Sequence, residues 1–206
     1  MPTPSPFWLK LPQGGQEPDS DRRLEQSWKD LPTGYTLIQR QVITTPVPNV
    51  TFSNLPLPIS PRYCWNKYVI DFTASVAGGA DANLNIRFNG DNGLNYISYL
   101  LFGSNGSSPW SISYTNPTNA SICGICDSTG AFGRNFSHIE IHHPTTGAAP
   151  GRAWQFTSNS FGAANNYFYT GGGWWAQGSA NSPIQSITLV TGVNFTTGQA
   201  SLYGVV

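Results

Sequence analysis

FSHIEIHHPTTGAAPGRAWQF, residues 136–156, shows the chain's repeating pattern plainly. Its first half alternates. On an extended chain successive side chains point to opposite sides, so His138, Glu140 and His142 share one face and Ile139 and Ile141 the other. The turn signal PTTGAAPG follows at 144–151, and a second alternating run opens at Ala153. The reading is a half-buried strand, a turn and another strand.

The same pattern extends outward from this stretch. Period-two runs predict strands over 63–74, 82–89, 95–102, 110–114, 135–142, 153–159, 166–170, 184–191 and 200–205. Turn signals fall between them: AGGAD at 77–81, NGDNG at 89–93, GSNGSSP at 103–109, TGGG at 170–173 and NFTTG at 194–198. Strands at such short intervals, with no helical stretch between them, predict an all-β fold, a sandwich or a jelly roll. Composition agrees. Charged residues make up 10% of the chain, against about 25% in an average soluble protein. Aromatic, Gly, Asn, Ser and Thr residues take their place, which suits strands and tight turns.

Formal net charge is zero. A neutral chain lacks the cationic field that phosphate binding needs, so no nucleic-acid partner is expected. No apolar run is long enough for a transmembrane helix, so no membrane insertion is expected either. The opening MPTPSPFWLKLP has no apolar signal-peptide core, so classical secretion is not expected; a particle released by lysis would need no such signal. The three cysteines, an odd number, argue against a disulfide framework.

Most of the 16 prolines fall before residue 62. Residues 1–61 therefore read as an extended, proline-rich docking arm, and residues 62–206 as the sandwich domain. One short helix is predicted over about residues 20–30, from the helical spacing of Leu24, Trp28 and Leu31. Phe7, Trp8, Trp28 and Phe52 are the arm's expected anchors on neighbouring subunits, because aromatic side chains dominate interface hot spots.

Three stretches, in order, resemble a jelly-roll domain of tailed-bacteriophage virion structural proteins. They are LNIRFNGDNGLNY at 84–96, the 136–156 stretch, and SPIQSITLVTGVNFTTGQASLYGVV at 182–206. His142-His143-Pro144 departs from the plainer polar turn of that family. The resemblance covers roughly residues 62–206. It implies a non-enzymatic virion component on the exterior of tail or capsid. A minor tail or tail-tip protein is favoured; a capsid decoration protein or a receptor- or carbohydrate-binding head is the alternative. It also implies other virion proteins as partners and a homo-oligomer, with a trimer favoured. It brings no catalytic residues.

Cys123, Cys126, His138 and His142 are zinc-ligand types, but the spacing is poor and the histidines lie on a strand rather than a helix. A polar outer face is the better reading, and no cofactor is expected. NGDNG could hold calcium, yet Asn-Gly is common turn chemistry and the turn reading is preferred. The run NNYFYTGGGWW at 165–175 could be a host-glycan platform or a subunit contact through Tyr167, Tyr169, Trp174 or Trp175. Trp174 and Trp175 should face opposite sides if they lie on a strand. The five acidic residues of the domain, Asp71, Asp81, Asp91, Asp127 and Glu140, offer no legible pair for glycosidase chemistry.

Overall fold

The computed structural model describes residues 34–56, 66–77, 82–104, 108–115, 117–125, 134–142, 152–161, 166–176 and 183–205. They form eleven strands: β1 (Tyr35–Ile43), β2 (Val47–Phe52), β3 (Lys67–Val76), β4 (Ala82–Phe88), β5 (Tyr96–Ser104), β6 (Trp110–Thr115), β7 (Ala120–Ile125), β8 (Arg134–His142), β9 (Arg152–Phe161), β10 (Asn166–Trp175) and β11 (Ile187–Val205). Every pairing is antiparallel. The all-β expectation holds.

Two layers share one long strand. Residues 187–190 of β11 run between β2 and β4, and residues 198–205 run between β1 and β3. Register breaks on either side of Phe195 mark the bend. The larger layer therefore reads β6-β5-β10-β9-β8-β3-β11-β1, and the smaller β2-β11-β4-β7. Strand β7 packs across β5, β9 and β10, which sets the layers face to face.

Hydrophobic alternation explains the layering. In β4 the side chains of Ala82, Leu84, Ile86 and Phe88 are buried, and those between them are less so. In β8, Ile139 and Ile141 face the core while His138, Glu140 and His142 face out, as their spacing predicts. Aromatic rings fill the interior. Phe72 meets Phe195 edge-on at 5.3 Å, and Phe88 and Tyr96 lie 5.4 and 6.4 Å from Trp175.

Several boundaries differ from the sequence reading. Residues 35–52 are not arm: they supply β1 and β2, which flank β11. Phe52 is fully buried in its own sandwich and cannot anchor to a neighbour. Pro48 lies within β2, but among the described residues β2 pairs with β11 alone, and an edge strand tolerates proline. Phe7, Trp8, Trp28 and the predicted helix lie outside the described residues. Strand β7, carrying Cys123, was not foreseen.

Two predicted turns are strand interiors. TGGG lies inside β10, where close approach demands glycine. A Cβ on Gly173 would strike the Ile97 carbonyl and come within 2.8 Å of the Trp154 ring; one on Gly171 would strike the Tyr99 carbonyl. Bulky rings beside glycine restore the packing that glycine lacks. NFTTG is the bend of β11, where Gly198 sits at φ 151° against Thr73 and Ala74 of β3. Residues that favour turns also favour bulges, so composition alone does not separate them.

Candidate functional site

The two outer faces of the sandwich differ. The small layer turns out Thr51, Asn85, Arg87, Ser121 and Thr188, with Thr51 and Thr188 hydroxyls 3.1 Å apart and Ser121 bonding Asn85. The large layer turns out rings and aliphatic chains. Tyr99, Leu101, Phe136, Phe168 and Trp174 are all among its exposed large apolar residues.

Strand register sets this face in rows. Ser113, Tyr99, Gly172, Gln155 and Glu140 are consecutive partners across β6, β5, β10, β9 and β8. At about 4.8 Å per strand the row is about 19 Å long. Gly172 leaves a gap in its middle, and the Tyr99 and Trp174 rings stand beside it, 5.9 Å apart. Two depressions result. One, of about 560 Å³, is bordered by Tyr99, Leu101, Ser111, Ser113 and Trp174; the other, of about 330 Å³, by His138, Glu140, Gln155 and Thr157. They meet at Thr170 and Gly171.

The polar end of the row is held in place. Lys67 Nζ donates to Glu140 Oε1 at 2.6 Å, and Gln155 Nε2 donates to Glu140 Oε2 at 2.7 Å. His138 Nδ1 lies 2.8 Å from Asp71 Oδ1, and its Nε2 3.7 Å from Glu140 Oε1. His142 Nε2 approaches the other Glu140 oxygen at 3.9 Å. The pairing of β3 with β8 brings Asp71 to His138, a juxtaposition that no local motif reveals. The Lys67 hydrogen bond holds the Glu140 carboxyl below its ordinary range. A glycosidase general acid needs the opposite shift. Glu140 is thus a fixed acceptor rather than a proton donor.

The aromatic candidates separate sharply. Trp174 is 40% exposed and Trp175 only 2%. The expectation that they face opposite sides holds, and Trp175 belongs to the core rather than to a ligand. Tyr169 is buried and stacks on Phe102 at 5.5 Å; Tyr167 is half-buried beside it. Both point inward. Tyr99 was missed, because the contribution of β5 to this face depends on its pairing with β10.

The zinc-type set does not come together among the described residues. Cys123 lies on β7 of the small layer, and His138 and His142 on β8 of the large one. Cys126 and the Cys123 side chain are outside the described residues. Among those residues, no three His, Cys, Asp or Glu side chains are grouped to hold a metal ion.

NGDNG is a turn. Asn89 and Gly90 both have positive φ, and Asp91 N bonds Phe88 O at 2.9 Å, the geometry of a type I′ turn. It links the two layers instead of closing a hairpin, since β4 pairs with β7 and β11 while β5 pairs with β6 and β10. The Asp91 carboxylate is taken up internally. It accepts from Gly93 N at 2.8 Å, Asn95 Nδ2 at 2.9 Å and Trp175 Nε1 at 2.5 Å. Burial alone would raise its pKa, but these donors outweigh burial and lower it.

A pH dependence follows. Asp91 and Glu140 both have folded pKa values below their ordinary ones. Each therefore contributes stability above its unfolded pKa and loses that contribution as pH falls through the folded value. Urea midpoints should fall as pH drops below about 4. Asp91→Asn should flatten that decline. An equally steep acid limb in the variant would rule Asp91 out as its source.

No protein-family model, curated protein or solved structure matches this chain.

Proposed function

We propose that this chain is a non-enzymatic structural protein of a tailed-bacteriophage virion, a minor tail or tail-tip protein with its sandwich facing outward. The carrying observation is the contrast between faces. A polar small layer backs a large layer whose outer face bears Tyr99, Leu101, Phe136, Phe168 and Trp174. Apolar groups gathered on one face mark a contact surface. The three stretches that resemble virion jelly rolls support the setting. They fall on β4 through the turn to β5, on β8–β9, and on β11, the elements that build both layers. The two-layer antiparallel arrangement supports a jelly-roll relationship, while the β8-β9-β10 meander departs from paired Greek keys. In this reading residues 1–33, with Phe7, Trp8 and Trp28, attach the subunit to other virion proteins, and the subunits form a trimer.

Mass spectrometry of purified particles and antibody labelling in electron microscopy test this. The protein should be a stoichiometric component, with label at the tail tip. Label on the capsid would favour a decoration protein instead. A protein absent from purified particles would end the virion reading.

A further inference from the structure

We infer that the Gly172 trough on the outer face is a carbohydrate site, taking a short stretch of a neutral glycan laid across strands β6 to β8. The inference deepens the attachment reading by naming what the outward face would bind. Its chemistry stands on this chain's residues alone.

The shape fits a flat, elongated ligand. The Gly172 position has no side chain, so a ring can settle between the flanking residues of the row. Depressions of about 560 and 330 Å³ lie end to end and share Thr170 and Gly171. Ligand sites usually fall within about 300–1,000 Å³ and combine apolar walls with a few placed polar groups. The row's length of about 19 Å suits an oligosaccharide better than a single small molecule.

The chemistry changes along the trough as a sugar requires. Tyr99 and Trp174, 50% and 40% exposed, offer ring faces to the C–H side of a pyranose, which is its apolar side. Hydroxyls of Ser111, Ser113, Thr157 and Thr170 and the Gln155 amide border the trough. Such groups can exchange hydrogen bonds with sugar hydroxyls without requiring charge. Glu140 is already oriented by Lys67 and Gln155. A pre-oriented acceptor forfeits little side-chain entropy on binding.

Charge selects a neutral ligand. Lys67 is paired with Glu140, and the other carboxylate bordering this network is Asp71, bonded to His138. An anionic sugar would meet two carboxylates and no unpaired cation among the residues of this network. A second copy of the chain is a poorer occupant. Covering the whole trough would bury the Glu140 carboxylate with Lys67 and His138 beside it, and the core of an interface between proteins is depleted of such charge.

The test uses the full-length protein on an array of neutral hexose and N-acetylhexosamine oligosaccharides, followed by calorimetry on the best binder. Trp174→Ala and Tyr99→Ala should each weaken binding about tenfold or more, the effect of losing one ring contact. Leu94→Ser, on an exposed side chain outside the trough, should leave binding unchanged. Circular dichroism melts confirm that each variant is folded. Absence of binding to any neutral glycan overturns the inference, as does affinity that survives both ring substitutions. Loss of self-association without glycan binding in Trp174→Ala would assign the face to a second copy and overturn it too. Failure here leaves particle localisation untouched, and a protein absent from particles could still bind glycan.

Discussion

A chain beginning at residue 62 is expected not to fold cooperatively, whereas one beginning at Gly34 keeps every described strand. The shorter chain loses β1 and β2. With them go Ile43, Val50, Phe52 and Leu55, all buried in the shared core. Truncating a buried Phe costs about 3–5 kcal/mol, and a buried Ile or Leu about 2–5 kcal/mol. Together these losses match or exceed the roughly 5–15 kcal/mol that holds a typical domain folded. The ladder suffers as well. Residues 198–205 of β11 would lose their β1 partner, and residues 187–190 their β2 partner. That leaves apolar strand edges open, a template for aggregation. Gel filtration and urea titration of the two chains decide the matter. A soluble chain from residue 62 with a cooperative transition would restore the boundary at residue 62.

The second large effect separates two adjacent tryptophans. Trp175→Ala should destabilise the protein by about 3–5 kcal/mol, while Trp174→Ala should cost about 1 kcal/mol or less. Trp175 is buried against Phe88 and Tyr96, and its indole N–H donates to Asp91. Removing it opens a cavity and takes a donor from a carboxylate that also organises Gly93 and Asn95. The backbone carbonyl of Asp91 in turn accepts from Tyr96 Oη, whose oxygen receives Phe88 N–H. One substitution thus loosens the turn between the layers and the core beneath it. Trp174 contacts Tyr99 on the surface and leaves no void when truncated. The readout is the urea midpoint at unchanged slope. Equal midpoints for the two variants would contradict the placement of Trp175 in the core.

Much of the fold was legible locally. Alternation in 136–142 assigned Ile139 and Ile141 inward and His138, Glu140 and His142 outward, because the strand period is fixed by backbone geometry. Asn89-Gly90 announced its turn, since both central positions need positive φ. The opposition of Trp174 and Trp175 followed from the same period. The failures share a cause. Gly171 to Gly173 looked like a turn because glycine permits turns, yet here it permits β9 and β5 to approach β10 closely. The prolines before residue 62 looked like an arm because proline withholds a backbone donor from a ladder, yet Pro48 lies within β2, which pairs with β11.

The candidate site was less legible than the fold. Its rings come from β5 and β10, and its polar end from β3, β8 and β9. Tyr99 and Gly172 are far apart in sequence and become neighbours only through register. Asp71 and His138 likewise meet because β3 pairs with β8.

Alternation and turn chemistry alone establish that this protein is all-β, where most strands run, and which face of those strands is apolar. Those properties depend on neighbours one or two residues away. Strand pairing across the whole fold is what places residues 35–52 in the sandwich, lets β11 serve both layers, and sets Tyr99, Gly172 and Glu140 in one row. Strand order and register are set by burial summed over the whole core, and no local window contains that sum. The stretch 136–156 carried its own periodicity, but its partners came from elsewhere in the chain: β3 for Glu140 and β10 for Gln155.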